Sequence, residues 1–81
     1  MCIKAGLSIT GVNAEVTPSQ WEFQIGVEEV LKVCDELILA RFILAKVTEK
    51  YGCGVNYHPK PLAGWNGSGA HVNISTKKMR E

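Results

Sequence analysis

The sequence carries almost no net charge. Nine Lys and Arg against eight Asp and Glu leave a formal +1, far short of the basic patch that nucleic acid or an anionic membrane surface demands. A cysteine framework is missing too. Cys2, Cys34 and Cys53 are odd in number and contain no C-x-x-C pair. A disulfide scaffold, or a zinc site on Cys53, His58 and His71, therefore lacks its usual anchor. Free thiols suit a reducing compartment, and a cytoplasmic location is expected. The opening residues Met1 to Lys4 show no long apolar core and no cleavage pattern of a signal peptide. The most apolar run, Leu37 to Ala45, is short and interrupted by Arg41, which argues against a transmembrane helix. No Gly-Lys-Ser/Thr follows the glycines between Gly64 and Gly69, so they are not a P-loop. No internal repeat, low-complexity tract or linker interrupts the chain.

What is present is ordinary in bulk. Hydrophobic residues make up 46% of 81, a globular proportion. A chain this short forms one domain at most and buries only about 60–65% of its unfolded surface.

The informative stretch runs from Asn13 to Gln24, Asn-Ala-Glu-Val-Thr-Pro-Ser-Gln-Trp-Glu-Phe-Gln. Pro18 between Thr17 and Ser19 is turn chemistry, and polar and apolar residues alternate on either side. The pattern predicts a β-hairpin with a loop over Thr17–Gln20 around a type I turn. Folding symmetrically about Pro18–Ser19 sets Val16 opposite Trp21, Glu15 opposite Glu22, Ala14 opposite Phe23 and Asn13 opposite Gln24. One face then carries Val12, Ala14, Val16, Trp21, Phe23 and Ile25, and the other Asn13, Glu15, Glu22 and Gln24. Directly opposed carboxylates, roughly 5 Å apart at Cβ, repel by ~3 kcal/mol at an effective dielectric near 20. Protonation, splaying into water or a hard divalent cation between them would each relieve this. The pattern alone leaves a solvated polar face and a metal site both open, and the flanking amides of Asn13 and Gln24 lean towards the site.

Cys2 to Ile9 reads as a strand feeding the hairpin. From Glu28 to Tyr51 the apolar period changes to three and four, through Val30, Leu31, Cys34, Leu37, Ile38, Leu44, Ala45 and Val47. Glu28 and Glu29 begin this helix, Lys46 and Lys50 end it, and Gly52 stands at the C′ position. Its middle is apolar nearly all round, which belongs inside a larger structure. Arg41 in that run reads as a snorkelling or ion-paired structural residue. Gly54 to His58 reads as a short strand stopped by Pro59 and Pro61, and His71 to Ser75 as another. The expected fold is α+β, an antiparallel sheet (hairpin near 12–27, short strands near 54–58 and 71–75) with one long helix near 28–51.

Three long motifs carry a resemblance. Asn13 to Gln24 resembles the central signature of the eukaryotic-type glutamine synthetases. Pro59-Lys-Pro61 with Trp65-Asn-Gly-Ser-Gly-Ala-His71 is similar to the ATP and glutamate loop of that family, and Ser75 to Glu81 fits as well. The resemblance runs unbroken from Cys2 to Glu81 and makes residues 1–81 a partial catalytic domain. It implies ATP-dependent ligation of ammonia to glutamate, with Mg²⁺ or Mn²⁺ as cofactor and ATP as substrate. Glu15 and Glu22 would ligate one ion, and His71 the second. Glu22, Phe23, Gln24, Ile25, Gly26 and Val27 would line the nucleotide site, as would Asn73, Ile74 and Ser75. Trp65, Asn66 and Gly67 would hold glutamate. The family's partners are glutamate, ammonia, ATP and further copies of the same chain, whose sites lie between subunits; neither nucleic acid nor membrane is implied. The chain departs from the pattern where Gly64 directly precedes Trp65, where His58 replaces the usual Asp, and where Ala63 replaces a common Pro. Further glutamate ligands, downstream arginines and an amino-terminal domain would have to come from outside these residues. The 81-residue chain alone is therefore expected not to make glutamine. The alternative is a truncated or non-catalytic relative with a structural or assembly role.

Overall fold

The computed structural model describes residues 1–81. Strand β1, Ile9–Ala14, pairs antiparallel with β2, Trp21–Ile25, and helix α1, Val30–Lys50, follows; one further helical turn, α2, spans Lys77–Arg80. Hairpin and long helix form as expected, giving the α+β class.

The hairpin register departs from the expected one by two residues. Ala14 stands opposite Trp21, Val12 opposite Phe23 and Asn13 opposite Glu22, so Glu15 does not face Glu22. The turn is the cause. Gln20 N donates to Thr17 O at 3.0 Å, and Ser19 has φ 62. A positive φ at the third turn position, after Pro18 at the second, is the type II signature rather than type I. Glu15 N then donates to Gln20 O at 3.0 Å, which places Glu15 across from Gln20. Because side chains alternate with period two, a shift of two leaves both faces intact. A bulge at Thr10 inserts one extra residue between Ile9 and Gly11 and lets Ile9 stand opposite Ile25.

The strand expected over Cys2–Ile9 begins only at Ile9. Ahead of it the chain closes on itself, with Ala5 N donating to Met1 O and Leu7 N to Cys2 O, and Gly6 at φ 88. The short strands expected near 54–58 and 71–75 do not form. A strand requires a neighbour's N–H and C=O groups, and the sheet has only the two members β1 and β2. Pro59 and Pro61 offer no N–H to the first segment, and the second runs into Thr76, which caps α2 by accepting from Met79 N.

Helix α1 ends in a Schellman motif, as Gly52 led one to expect. Gly52, at φ 70, donates to Glu49 O at 3.2 Å, and Cys53 N to Thr48 O at 3.0 Å. Glu28 and Glu29 precede its first turn, which holds no acidic residue. Glu28 instead joins a clamp. Ser8 Oγ donates to Glu28 Oε1 at 2.9 Å and to Glu36 Oε1 at 3.3 Å, while Ser8 N donates to Glu36 Oε2 at 3.3 Å. Glu36, 7% exposed, is thereby satisfied from the hairpin's own entry. Arg41 forms no ion pair; its guanidinium lies 4.2 Å from the centroid of the Tyr57 ring. The three cysteines are free, and no helix is long and apolar enough to cross a membrane.

Little apolar surface is enclosed. Leu7 and Ala40 are the only buried hydrophobic residues, and Leu37, Ile38, Leu39 and Phe42 are exposed. The accessible surface is 6955 Å², against roughly 4,800 Å² for a compact monomer of this mass. The radius of gyration is 14.6 Å, against about 12 Å for a compact domain of this length. An apolar helix this open associates with whatever apolar surface it meets. Residues 1–81 in isolation are therefore expected to self-associate, and a monodisperse monomer in sedimentation velocity would contradict this.

The clamp also sets a pH dependence. The Ser8 hydroxyl, and after it Lys32 at 3.1 Å, hold the Glu28 carboxyl below the ordinary glutamate range. A lowered carboxyl binds fewer protons folded than unfolded, so its contribution is complete above about pH 4.3, the ordinary value. It is lost as pH falls through the lowered folded value. Lys32 is raised by Glu28, so its share persists below about pH 10.4 and is lost as pH rises through the raised value. Circular dichroism of α1 should fall on acidification below about pH 4.3, and Glu28→Gln should flatten that limb.

Candidate functional site

The polar face of the hairpin is a connected network. Gln24 Nε2 donates to Glu22 Oε1 at 2.6 Å and to Asn13 Oδ1 at 2.9 Å, and Asn13 Nδ2 donates to Glu15 Oε1 at 3.0 Å. Two carboxamides thus run between two carboxylates, each donor aimed at an acceptor. Chains of this kind polarise one another. With Glu15 diagonal to Glu22, the two residues stand roughly 7–8 Å apart, somewhat less at Cβ, which lowers their repulsion below the directly opposed value. Gly11 makes room for the network, since a Cβ there would collide with Gln24 Oε1.

The donors are hard oxygens, partly open to solvent. That set fits Mg²⁺ or Mn²⁺ rather than a soft metal. Two carboxylates do not complete a coordination shell, and no group of three or more His, Cys, Asp or Glu comes together. His71 lies apart from the pair, exposed in an irregular segment.

The other expected site residues fall at two clefts. The hairpin turn meets the loop after Gly64, where Thr17 Oγ1 donates to Asn66 O at 3.2 Å. Around that bond lies a polar cleft of about 190 Å³ lined by Gln20, Asn56, His58, Asn66 and Ser68 among others. The loop is pinned from within, as Ser68 N and Oγ donate to Pro59 O at 2.6 and 3.3 Å. Gly67 packs against the same carbonyl, which a Cβ there would meet at 3.3 Å. Trp65 is exposed beside them and does not line the cleft.

At the second cleft Val27 and Ser75 come together with Glu28, Glu29, Val30 and Arg80. Glu22 to Ile25 occupy β2 and Gly26 is buried with φ 106, so only the last residue of the 22–27 stretch reaches this cleft. Asn73 and Ile74 are exposed and outside it. Two residues, Arg80 at this cleft and Thr17 at the first, escaped the sequence reading. Arg80 Nη1 donates to Ser75 O and Oγ at 2.9 and 2.7 Å; the basic end of the chain was its only signal. Thr17 had none beyond its place in a turn.

Gln24 holds the network together, so Gln24→Met, which keeps the shape and removes both donors, should cost about 1 kcal/mol in denaturant unfolding. A variant as stable as the parent would show these bonds to be replaced by water without loss.

Comparison with known proteins identifies the family. The family model described as glutamine synthetase, catalytic domain, matches residues 1–81. The glutamine synthetase of Debaryomyces hansenii is 56% identical over 80 residues, covering 98% of this chain and 22% of that protein. That of Suillus bovinus is 56% identical over 81 residues, covering 99% and 23%. That of Saccharomyces cerevisiae is 53% identical over 81, covering 99% and 22%. The chain therefore spans less than a quarter of the length of the curated relatives it matches. Matched along its whole length, with the acidic hairpin inside the matched region, the chain belongs to the glutamine synthetase catalytic-domain family.

Proposed function

We propose that these residues form the central part of an active site that ligates ammonia to glutamate at the expense of ATP. The observation that carries the reading is the hairpin face on which Glu15 and Glu22 are held by the carboxamides of Asn13 and Gln24. In this reaction the γ-phosphoryl group of ATP passes to the side-chain carboxylate of glutamate, and ammonia then displaces phosphate. The crowded oxygens of both substrates need neutralising and aligning, which is the electrostatic and positioning work of phosphoryl transfer. Mg²⁺ or Mn²⁺, when bound, supplies that neutralising charge.

The chain's own residues would do the rest. Glu15 and Glu22 present oxygens to one ion, and their carboxamide partners fix the orientation. His71 would serve the second ion. Val27 and Ser75 meet at one cleft, which supports a nucleotide assignment for those two residues; Glu22 to Gly26, Asn73 and Ile74 would reach the nucleotide only along the adjoining chain. Asn66, tied to the hairpin turn by Thr17, together with Trp65 and Gly67, would hold glutamate. The remaining ligands, and the copies of the chain that complete the family's sites, lie outside these residues. A second reading, an assembly role without catalysis, draws on the exposed apolar residues of α1.

Turnover measured against Mg²⁺ concentration separates the two. In the protein that carries these residues, Glu22→Gln should lower turnover by at least about tenfold and move the Mg²⁺ dependence to higher concentration. His71→Ala should fail differently, weakening metal-bound nucleotide while leaving the Glu15–Glu22 pair intact. Wild-type metal dependence and turnover in both variants would end the catalytic reading and leave the assembly role.

A further inference from the structure

One side-chain hydroxyl joins the two halves of this chain. Thr17 Oγ1 to Asn66 O, 3.2 Å and 49 positions apart in sequence, is the sole hydrogen bond between residues 1–53 and 54–81. Thr17 is 4% exposed, one of five buried residues, while its turn neighbours Pro18 and Ser19 are exposed. A buried hydroxyl needs a partner, and the carbonyl of Asn66 is the one it has. The same residue closes the turn, since its own carbonyl accepts from Gln20 N at 3.0 Å. That turn sets the register in which Glu15 and Glu22 share a face. Thr17 therefore touches both candidate regions through two different groups, its carbonyl toward the hairpin and its hydroxyl toward the loop.

The loop end of the bond is held from one other direction. Ser68 N and Oγ fix it to Pro59 O, which anchors the loop to its own base but not to the hairpin. Without the Thr17 hydroxyl the Asn66 main chain has no hydrogen bond to the acidic strand pair. A further contact between the two parts, Arg41 on Tyr57, lies at the helix, and neither residue hydrogen-bonds Asn66.

We propose that Thr17 is a positioning residue for substrate: it holds the Asn66 main chain in register with the acidic hairpin, so that the Trp65–Gly67 loop accepts glutamate. This rests on the function proposed above. The hydroxyl touches neither substrate, and its effect passes through the backbone of Asn66.

Calorimetric titration of the protein that carries these residues, with glutamate and with Mg²⁺–ATP separately, tests it. Thr17→Val keeps the β-branched shape and removes the donor. One lost neutral hydrogen bond corresponds to about a fivefold change in Kd. Glutamate affinity should fall by about that factor while Mg²⁺–ATP affinity stays unchanged, and Thr17→Ser should restore it. Unchanged glutamate affinity in Thr17→Val, with Glu22→Gln still weakening Mg²⁺ dependence, overturns this inference and leaves the proposed function standing. Equal losses for both ligands, not rescued by Ser, make Thr17 merely structural and also overturn it. A wild-type protein that binds no glutamate defeats both readings.

Discussion

Ser8 is the point at which hairpin and helix become one structure. Its hydroxyl and its N–H donate to Glu36, its hydroxyl also reaches Glu28, and its carbonyl accepts from Gly26 N at the end of β2. One residue thus closes the open end of the sheet and orients the helix that follows. Apolar burial could not do this alone, because only Leu7 and Ala40 are enclosed. A largely buried carboxylate is costly without partners, so placements of α1 that strand Glu36 away from Ser8 are disfavoured. The polar clamp chooses among arrangements that the scant apolar contact leaves nearly equal.

That scarcity is itself informative. The helix presents Leu37, Ile38, Leu39 and Phe42 to solvent, and the apolar face of the hairpin presents Val12, Val16 and Trp21, the last 68% exposed. These surfaces are patterned as core. In family members more than four times as long, there is ample further chain to cover such faces. The fold here is a sector of a catalytic domain, and the short pieces that read as strands, Gly54–His58 and His71–Ser75, lack the neighbours that would make them so.

The candidate site is spread in the same manner. Acidic oxygens stand on the hairpin, and two clefts flank it, one at the turn and one at the start of α1. Each is bounded on one side by the hairpin or its exit and on the other by the 54–81 segment. The shape of both clefts therefore depends on how that irregular segment is held, and its polar hold is slight: Thr17 on Asn66 and Arg41 on Tyr57.

Local periodicity was enough to read several features from sequence. The alternation around Pro18 separated Glu15 and Glu22 from Trp21 and Phe23. The three-and-four spacing located α1 within two residues, and Gly52 marked its end. These are properties of a single segment's backbone, decided by its own side chains. The family motifs went further, since they raise an expectation of ligand residues where periodicity alone left a solvated face and a metal site both open. The tertiary structure decided the rest. Ser19 at positive φ, not the symmetry of the pattern, set the pairing, and Glu22 came to face Asn13 instead of Glu15. The chain ahead of Ile9 turned back on itself because Gly6 and local backbone bonds outcompeted an extended run. Ser8 with Glu36, and Thr17 with Asn66, join residues 28 and 49 positions apart. No local pattern encodes such pairs. The faces survived the change of register because a strand repeats every two residues and the shift was also two. Pairing partners belong to whichever chain lies alongside, and only folding brings that chain there.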